Sequence, residues 1–340
     1  MTSIVRAWQI VDGGVLANMP VRLPEPGPTE VVVRVGAVAL NHRDLLVRAG
    51  RYGRAVPVGA VPCSDAAGVI AAIGTRVDRV AVGDRVTTVF APDWHAGTLT
   101  RAALRTTLGS GRTPGVLAEY VCLPETAVHP APACLSIEEA ATLPCAALTA
   151  WHALFEGGVP IRRNHTVLTI GSGGVSVFAL QMAVRAGATV IAVSGSPGKF
   201  ERLRELGASH VIDRRSEPGW GERARSLTDG EEGVDLVIEV GGQGTLEQSM
   251  RAVHPGGTIA LIGTLAGPTP VSLTPLLLRN ITLAGIMVGS RAMLAAMMSA
   301  LSDWRLRPVI DTVVPFAEAP AAFERLASGR QFGKVVVSVP

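Results

Sequence analysis

No stretch of this chain leaves fewer folding options than Thr166 to Lys199, TVLTIGSGGVSVFALQMAVRAGATVIAVSGSPGK. An apolar, β-branched run ends at Gly171, and Gly173 and Gly174 follow at once. A segment rich in Ala, Leu and Met then runs to Gly187, where a second apolar run begins. The pattern predicts strand, tight turn, helix capped at its C-terminus by Gly187, and strand. Gly171 permits the turn, and Gly173 lets backbone N–H groups approach a pyrophosphate. The helix N-terminus that follows favours that negative charge. The third glycine of a G-x-G-x-x-G pattern is here Ser176, still small enough for close helix–strand packing. A glycine triplet alone is a weak signal. Set between a strand and a helix, it predicts a dinucleotide site formed by Gly171, Ser172, Gly173, Gly174 and Val175.

The end of the second strand bears on which dinucleotide. A chain selective for NAD places a carboxylate about 20 residues after the loop, where it grips the ribose 2′-hydroxyl. That place holds Ser194, Gly195 and Ser196, with no acid. Serine hydroxyls can donate to a 2′-phosphate that a carboxylate would repel. Lys199 lies one turn further on, and Arg214 closes a third strand, VIDR, which the sheet brings beside the same ribose. These residues favour NADPH, with Ser194, Ser196, Lys199 and Arg214 at its phosphate.

Around this unit the chain changes grammar once. Up to about residue 130, short β-branched strands alternate with turns: Glu30 to Val38 after the breaker PEPGP, then Val69 to Ile73, Arg85 to Phe90 and Leu117 to Leu123. From Ser136, an N-cap followed by Glu138 and Glu139, a helix is expected to run to Leu154. Nearly continuous apolar strands then alternate with helical segments: Thr166 to Ile170, Thr189 to Val193, His210 to Ile212, Val234 to Val240, Thr258 to Ile262 and Ile281 to Val288. Such runs suit a sheet covered on both faces, and the alternation predicts a doubly wound parallel sheet. The expected fold class is α/β, with a small β-domain at 1–130, a nucleotide-binding domain at 131–306, and a segment 307–340 whose strand Lys334 to Val339 rejoins the first domain.

Composition narrows the function classes. The 340 residues are 48% apolar and only 17% charged, so a large core is expected. A net charge of +3 without Lys/Arg clusters argues against a nucleic-acid partner. The opening MTSIVRAWQI lacks an apolar export core, which predicts a cytoplasmic protein with reduced cysteines. The uncharged stretches Thr166 to Val184 and Ala252 to Leu278 are too rich in glycine or proline to span a membrane as helices. Cys63, Cys122, Cys134 and Cys145 form no CxxC pair, and no HExxH occurs. His95 reads as a loop histidine, and Cys145 with Asp65 makes two ligands at most, so no metal is expected.

Taken together, NHRDLLVRAGRY (Asn41 to Tyr52), DAAGVIAAIGTRVDRVAVGDRV (Asp65 to Val86), LPCAALTAWHAL (Leu143 to Leu154), IGSGGVS (Ile170 to Ser176), VDLVIEVGG (Val234 to Gly242) and FGKVVVSV (Phe332 to Val339) resemble the medium-chain dehydrogenase/reductase superfamily over essentially the whole chain. Within it the chain is similar to the zinc-independent branch of quinone oxidoreductases and enoyl reductases. It is most similar to NADP-dependent, alcohol dehydrogenase-like members that share its DWHAG loop and VGSR (Val288 to Arg291). The resemblance implies a GroES-like catalytic domain, a Rossmann domain, and a homodimer joined edge to edge near Ile281 to Val288. In zinc-carrying relatives a cysteine stands at Asn41 and Gly-His-Glu at Cys63-Ser64-Asp65, while the third ligand position matches Cys145. Two of three ligands are replaced.

Position by position, the resemblance implies that Asn41 lies beside the nicotinamide ribose, with Asp44 and Arg48 buttressing its loop. Thr149 would face the nicotinamide amide or phosphate. Backbone at Gly241, Ile262 and Val288 would line ribose and carboxamide, and Phe332 would close the cleft. Tyr52 matches a tyrosine at the substrate carbonyl, so Tyr52 and Asn41 are the catalytic candidates.

Without a metal, the alkoxide of a simple ketone is poorly stabilised, whereas an enone or quinone spreads the incoming charge. The leading expectation is therefore NADPH-dependent reduction of an apolar, conjugated small molecule. Phe90, Trp94 and Trp151 would serve as an apolar wall or as core. A zinc-free carbonyl reductase or alcohol dehydrogenase, and an NADPH-binding protein with negligible turnover, are the alternatives.

Overall fold

The computed structural model describes residues 4–52, 56–265, 267 and 269–340. The chain divides into two compact units, Met1–Leu148 with Gly289–Pro340, and Thr149–Val288.

In the first unit, β1 (Ile4–Val11) and β2 (Val15–Arg22) form an antiparallel hairpin. The central strand β3 (Glu30–Ala39) follows the proline-rich breaker, and seven of its ten residues are buried. It pairs antiparallel with β4 (Asp65–Ile73), which in turn pairs with β5 (Arg85–Thr88). β6 (Tyr120–Pro124) also pairs with β3, and β7 (Val128–Pro130) with β5. Gly74 is required where β4 ends: a Cβ there would lie 1.9 Å from the Gly27 carbonyl oxygen.

The helix opening at Ser136 begins as expected. The Ser136 hydroxyl accepts from Glu139 N, and the Glu139 carboxylate accepts from Ser136 N. It does not run on as one α-helix to Leu154. After Ile137–Ala141 the backbone widens into π-turns at Leu143–Ala147, regains α geometry at Leu148–Trp151, and widens again at His152–Glu156. Pro144 has no N–H to give to a regular ladder, and a π-bulge accommodates that loss.

The second unit is built on β8 (Thr166–Ile170), β9 (Thr189–Ser194), β10 (His210–Asp213), β11 (Val234–Glu239), β12 (Val253–Leu261) and β13 (Thr282–Gly285). All pairings are parallel, in the order β10-β9-β8-β11-β12-β13. The order reverses between β8 and β11, so the C-terminal ends of these two strands open the crevice where such sheets bind ligands.

The chain then returns to the first unit through β14 (Ile310–Pro315) and β15 (Lys334–Ser338). β15 pairs antiparallel with β3, Val336 opposite Ala39, and completes the sheet β14-β15-β3-β4-β5-β7. The units divide 18 residues later at one end, and 18 earlier at the other, than the boundaries expected at 130 and 306. Contacts explain both shifts. Ile137 packs against β3, where a Cβ on Gly36 would come within 2.9 Å of it. Arg291, just past Gly289, donates to Thr126 O from its side chain and to Trp94 O from its backbone.

Candidate active site

In the second unit the glycine turn has the shape a pyrophosphate needs. Gly171 lies at φ +81°, and ideal Cβ atoms at Gly171 and Gly173 would meet nothing within 4 Å. Gly174 opens a 12-residue helix, Gly174–Arg185, directly after them. Ser172 is buried, while Gly173, Gly174 and Val175 are half-exposed along the turn. Ser176 does more than fit: its hydroxyl donates to Ile170 O at 2.6 Å and ties the helix to β8. Space, backbone donors and a positive helix end therefore suit a dinucleotide diphosphate.

At the end of β9 the sheet register sets Ser194 beside Asp213 on β10. Arg214 thereby lies against Gly195, where a Cβ would be 3.0 Å from the Arg214 Nε. Ser194 is buried, and its Oγ accepts from Ser196 N at 3.3 Å, so this hydroxyl props the turn. Ser196 and Lys199 are half-buried and Arg214 is exposed. These three carry donors to the surface at the strand end.

Beyond β11 the buried Glu239 carboxylate collects the N–H groups of Gly241 and Gly242, at 2.7 and 2.9 Å, and the hydroxyls of Thr245 and Ser249. Ile262 N donates to Glu239 O. The amides of Gly241 and Ile262 are thus spent internally, and what they can offer a cofactor is surface and carbonyl oxygen. Thr149 is buried. Val288 holds φ +40°, a costly conformation for a β-branched residue. Its carbonyl accepts a hydrogen bond from His152 Nδ1 at 2.9 Å, which sets the imidazole proton on that nitrogen.

In the first unit, Asn41 precedes the short helix His42–Arg48. Asp44 Oδ2 accepts from Asn41 N at 2.8 Å and fixes the start of the helix. The Asn41 side-chain oxygen accepts from Lys334 Nζ at 2.6 Å, and the same ammonium donates to Leu40 O at 2.7 Å. Asp65, wholly buried beside them, accepts from Ser64 Oγ at 2.7 Å and from Cys145 N at 3.0 Å. Burial pushes the Asp65 carboxyl up, and the Lys334 charge pulls it back. Asp44 is pushed up to about 6, chiefly by burial, against the opposing pull of Arg43.

Arg43 itself is buried. Its guanidinium carbon lies 4.8 Å from the Tyr52 ring centroid and 4.9 Å from that of Phe90. Tyr52, half-buried, and Asn41 therefore share one neighbourhood through the helix that carries Arg43. Phe332 is buried two residues before Lys334, its N–H given to Asp311. Arg48 donates to Gly14 O at 2.8 Å. Trp94 is buried with its indole N–H on Gly97 O, and the Trp151 and Phe155 rings meet tilted at 48° with centroids 4.5 Å apart.

The donor set of the first unit does not fit a catalytic zinc. An ammonium already sits on Asn41, both Asp65 oxygens accept hydrogen bonds, and burial drives the Cys63 and Cys145 thiols away from the thiolate a metal needs. Among the described residues, no three His, Cys, Asp or Glu side chains gather at metal-binding spacing. Arg43 and Lys334 were not among the residues singled out in the sequence as site residues. Nothing local in the sequence marks them: Arg43 follows the exposed His42, and Lys334 opens a strand just after Gly333.

A dinucleotide-type parallel sheet carried on the same chain as this β-unit defines a class, the two-domain oxidoreductases. Residues 27–133 match the family described as alcohol dehydrogenase GroES-like domain, and residues 174–303 match zinc-binding dehydrogenase. A zinc-type alcohol dehydrogenase-like protein of Schizosaccharomyces pombe is 40% identical over 92% of this chain and 91% of its own length. A 2-methylene-furan-3-one reductase of Solanum lycopersicum is 31% identical over 98% of this chain and 79% of its own. Among solved structures, a Sinorhizobium meliloti protein assigned as an alcohol dehydrogenase superposes with TM-score 0.92 at 41% identity, covering 99% of both chains. An NAD-dependent alcohol dehydrogenase superposes with TM-score 0.88 at 34% identity, covering 98% of this chain and 100% of its own. The chain belongs to the medium-chain dehydrogenase/reductase family and is an oxidoreductase.

Proposed function

We propose that this enzyme reduces a carbon–carbon double bond conjugated to a carbonyl, or a quinone, with NADPH and without zinc. The observation that carries the reading is the Lys334–Asn41–Asp65 cluster: the lysine donates to Asn41 and its charge favours the ionised Asp65, at the place where the resemblance puts the metal of zinc-carrying relatives. Lacking a Lewis acid, such a site favours acceptors that spread the incoming charge themselves.

NADPH, when bound, supplies a hydride from its nicotinamide ring. The backbone of Ser172 to Val175 would take the diphosphate at the start of the helix Gly174–Arg185. Ser196, Lys199 and Arg214 would take the 2′-phosphate, with Ser194 shaping their turn. Surface at Gly241, Ile262, Val288 and Thr149 would line the nicotinamide half. Asn41, held by Lys334, would orient the ribose, and Phe332 packs beside that lysine's strand. Tyr52 would donate its phenol proton in a hydrogen bond to the substrate oxygen, and water would supply the proton for the adjacent carbon. Phe90 and Trp94 are both buried and belong to the core of the first unit.

The outer edge of β13 supports a homodimer joined through that strand. Leu277 and Leu278, 81% and 76% exposed, lie just before it. Among the described residues no helix is long and apolar enough to cross a membrane, in keeping with a small-molecule substrate taken from water.

The test is a spectrophotometric panel of enones, quinones and saturated aldehydes with NADPH and NADH, with and without chelator. Chelator-insensitive oxidation of NADPH by enones or quinones supports the reading. Relatives named as alcohol dehydrogenases favour a second one, reversible oxidation of a simple alcohol. Activity confined to alcohols and saturated aldehydes would establish it instead.

A further inference from the structure

Two turns of the second unit run in the same order, strand, glycines, helix, yet one is open and the other shut. After β8, ideal Cβ atoms at Gly171 and Gly173 would stand in free space, and the helix Gly174–Arg185 follows. After β11 the helix is Gln243–Ala252, and the turn before it is closely packed. A Cβ on Gly241 would lie 2.2 Å from Thr245 Oγ1, and one on Gly242, at φ +76°, 2.7 Å from Thr264 Cα. One on Gly263 would lie 2.4 Å from Val240 O.

The residue that shuts the second turn is Glu239, the last of β11 and wholly buried. Its Oε1 accepts from the consecutive N–H groups of Gly241 and Gly242 and from the Thr245 hydroxyl, and its Oε2 from Ser249 Oγ. Its main-chain oxygen accepts from Ile262 N at 2.8 Å and from Gly263 N at 3.3 Å. Successive backbone N–H groups that converge on one point form an anion cradle. In the first turn that cradle is left for a ligand; in the second the chain fills it with its own carboxylate. None of the four side-chain partners is a cation, and a buried acid held this way costs more than an apolar side chain of similar size. Packing alone therefore does not account for Glu239. The shape it imposes on residues 240–242 and 262–263 does.

That shape lies where a cofactor needs it. In a doubly wound sheet a dinucleotide crosses the crevice at the switch point, one half on each side. The β8, β9 and β10 side carries the glycine turn with Ser196, Lys199 and Arg214, which take the adenosine half. The β11 and β12 side carries a rim that reaches solvent at Val240, Ile262, Gly263 and Thr264. We infer that Glu239 is a positioning residue of the cofactor site: without touching the cofactor, it holds this rim in the form the nicotinamide half requires and sets the affinity for that half alone. The inference rests on the reading of the second unit as the NADPH site.

The test is calorimetric titration of the full-length enzyme with NADPH and with adenosine 2′,5′-bisphosphate, which is the adenosine half by itself. Glu239→Leu keeps the bulk and removes the acceptor. It should raise the Kd for NADPH about ten- to a hundredfold and leave that for the bisphosphate within about twofold. Glu239→Gln keeps one acceptor oxygen for Gly241 and Gly242, so its affinity for NADPH should fall between those of wild type and Glu239→Leu. Thr245→Val leaves the acid in place but sets a methyl group where the hydroxyl meets Gly241. It carries the test if Glu239→Leu does not fold, with NADPH weakened about threefold or more and the bisphosphate unmoved. Unchanged NADPH affinity in the folded variant overturns the proposal. Parallel losses of both ligands overturn it too, because a residue that merely holds the unit together would weaken both. Should the wild type bind NADH and not NADPH, the 2′-phosphate assignment falls by itself, and NADH against adenosine 5′-monophosphate decides the role of Glu239 by the same criteria. A wild type that binds neither dinucleotide overturns both.

Discussion

Lys334 reaches from the first residue of β15 to the Asn41 side-chain oxygen, 2.6 Å away, and brings its charge to the buried Asp65 carboxylate. Two residues 293 positions apart in sequence are thus hydrogen-bonded, and the lysine is coulombically paired with Asp65.

Breaking that pair from one side should be far worse than removing both partners. Lys334→Met leaves the buried Asp65 carboxyl without its compensating charge and takes the donor from Leu40 O and the Asn41 side-chain oxygen, and is expected to cost about 3–5 kcal/mol in urea unfolding. Adding Asp65→Asn should return most of the loss. Equal destabilisation of the single and double variants would show that the two charges do not interact.

Asp44 makes a second prediction, with a sign opposite to that of most acids. Its carboxyl is raised from 3.8 to about 6 in the fold. Between those values the native state holds a proton that the unfolded chain has released, so this group's contribution falls as pH rises through the window and is level above it. Asp44→Asn does not titrate. The stability of that variant relative to wild type should therefore climb by about 2 kcal/mol from pH 4 to pH 6 and level off above about pH 7. A difference independent of pH would place the carboxyl back near its ordinary value.

Arg214 lies against Gly195 at the end of β9, where the 2′-phosphate of NADPH is proposed to bind. Arg214→Ala should raise the Kd for NADPH about ten- to a hundredfold, the scale of one or two hydrogen bonds to a charged group, and barely move that for NADH. Lys199→Ala should do the same more weakly. Fluorescence titration with both cofactors checks this, and parallel losses would contradict the assignment.

Tyr52 is proposed to donate to the substrate oxygen. Tyr52→Phe keeps the ring beside Arg43 and removes only the hydroxyl. The expected result is a kcat lowered about 30-fold or more, at unchanged NADPH affinity. Identical steady-state kinetics would leave Tyr52 as packing for the guanidinium.

The parallel sheet was legible in the sequence because its information is local. Apolar runs, the glycine turn and the helix that follows announce themselves within Thr166 to Lys199, and the same regularity puts Arg214 at the strand end beside Ser194, as the register has it. The first unit was harder. The hairpin β1–β2 went unassigned because Ile4–Val11 and Val15–Arg22 mix buried and exposed positions irregularly. β14 also went unassigned, its residues half-exposed or exposed throughout. Arg43 and Lys334 hid for a different reason. A charge in the first turn of a helix or at the start of a strand normally faces water, and only long-range contacts, β15 beside β3 for Lys334 and Leu108 O with the Phe90 ring for Arg43, reveal that these do not.

Because residues 149–288 interrupt the first unit, β3 cannot gain its neighbour β15 until translation has passed residue 338. The nucleotide-binding sheet, contiguous in the chain, is ready to assemble while the ribosome is still producing the other unit's missing strand. For that interval Asp65 has no lysine and one flank of β3 stands open. The emerging polypeptide is therefore most exposed to aggregation late in synthesis, when a chaperone that shields strand edges would matter most.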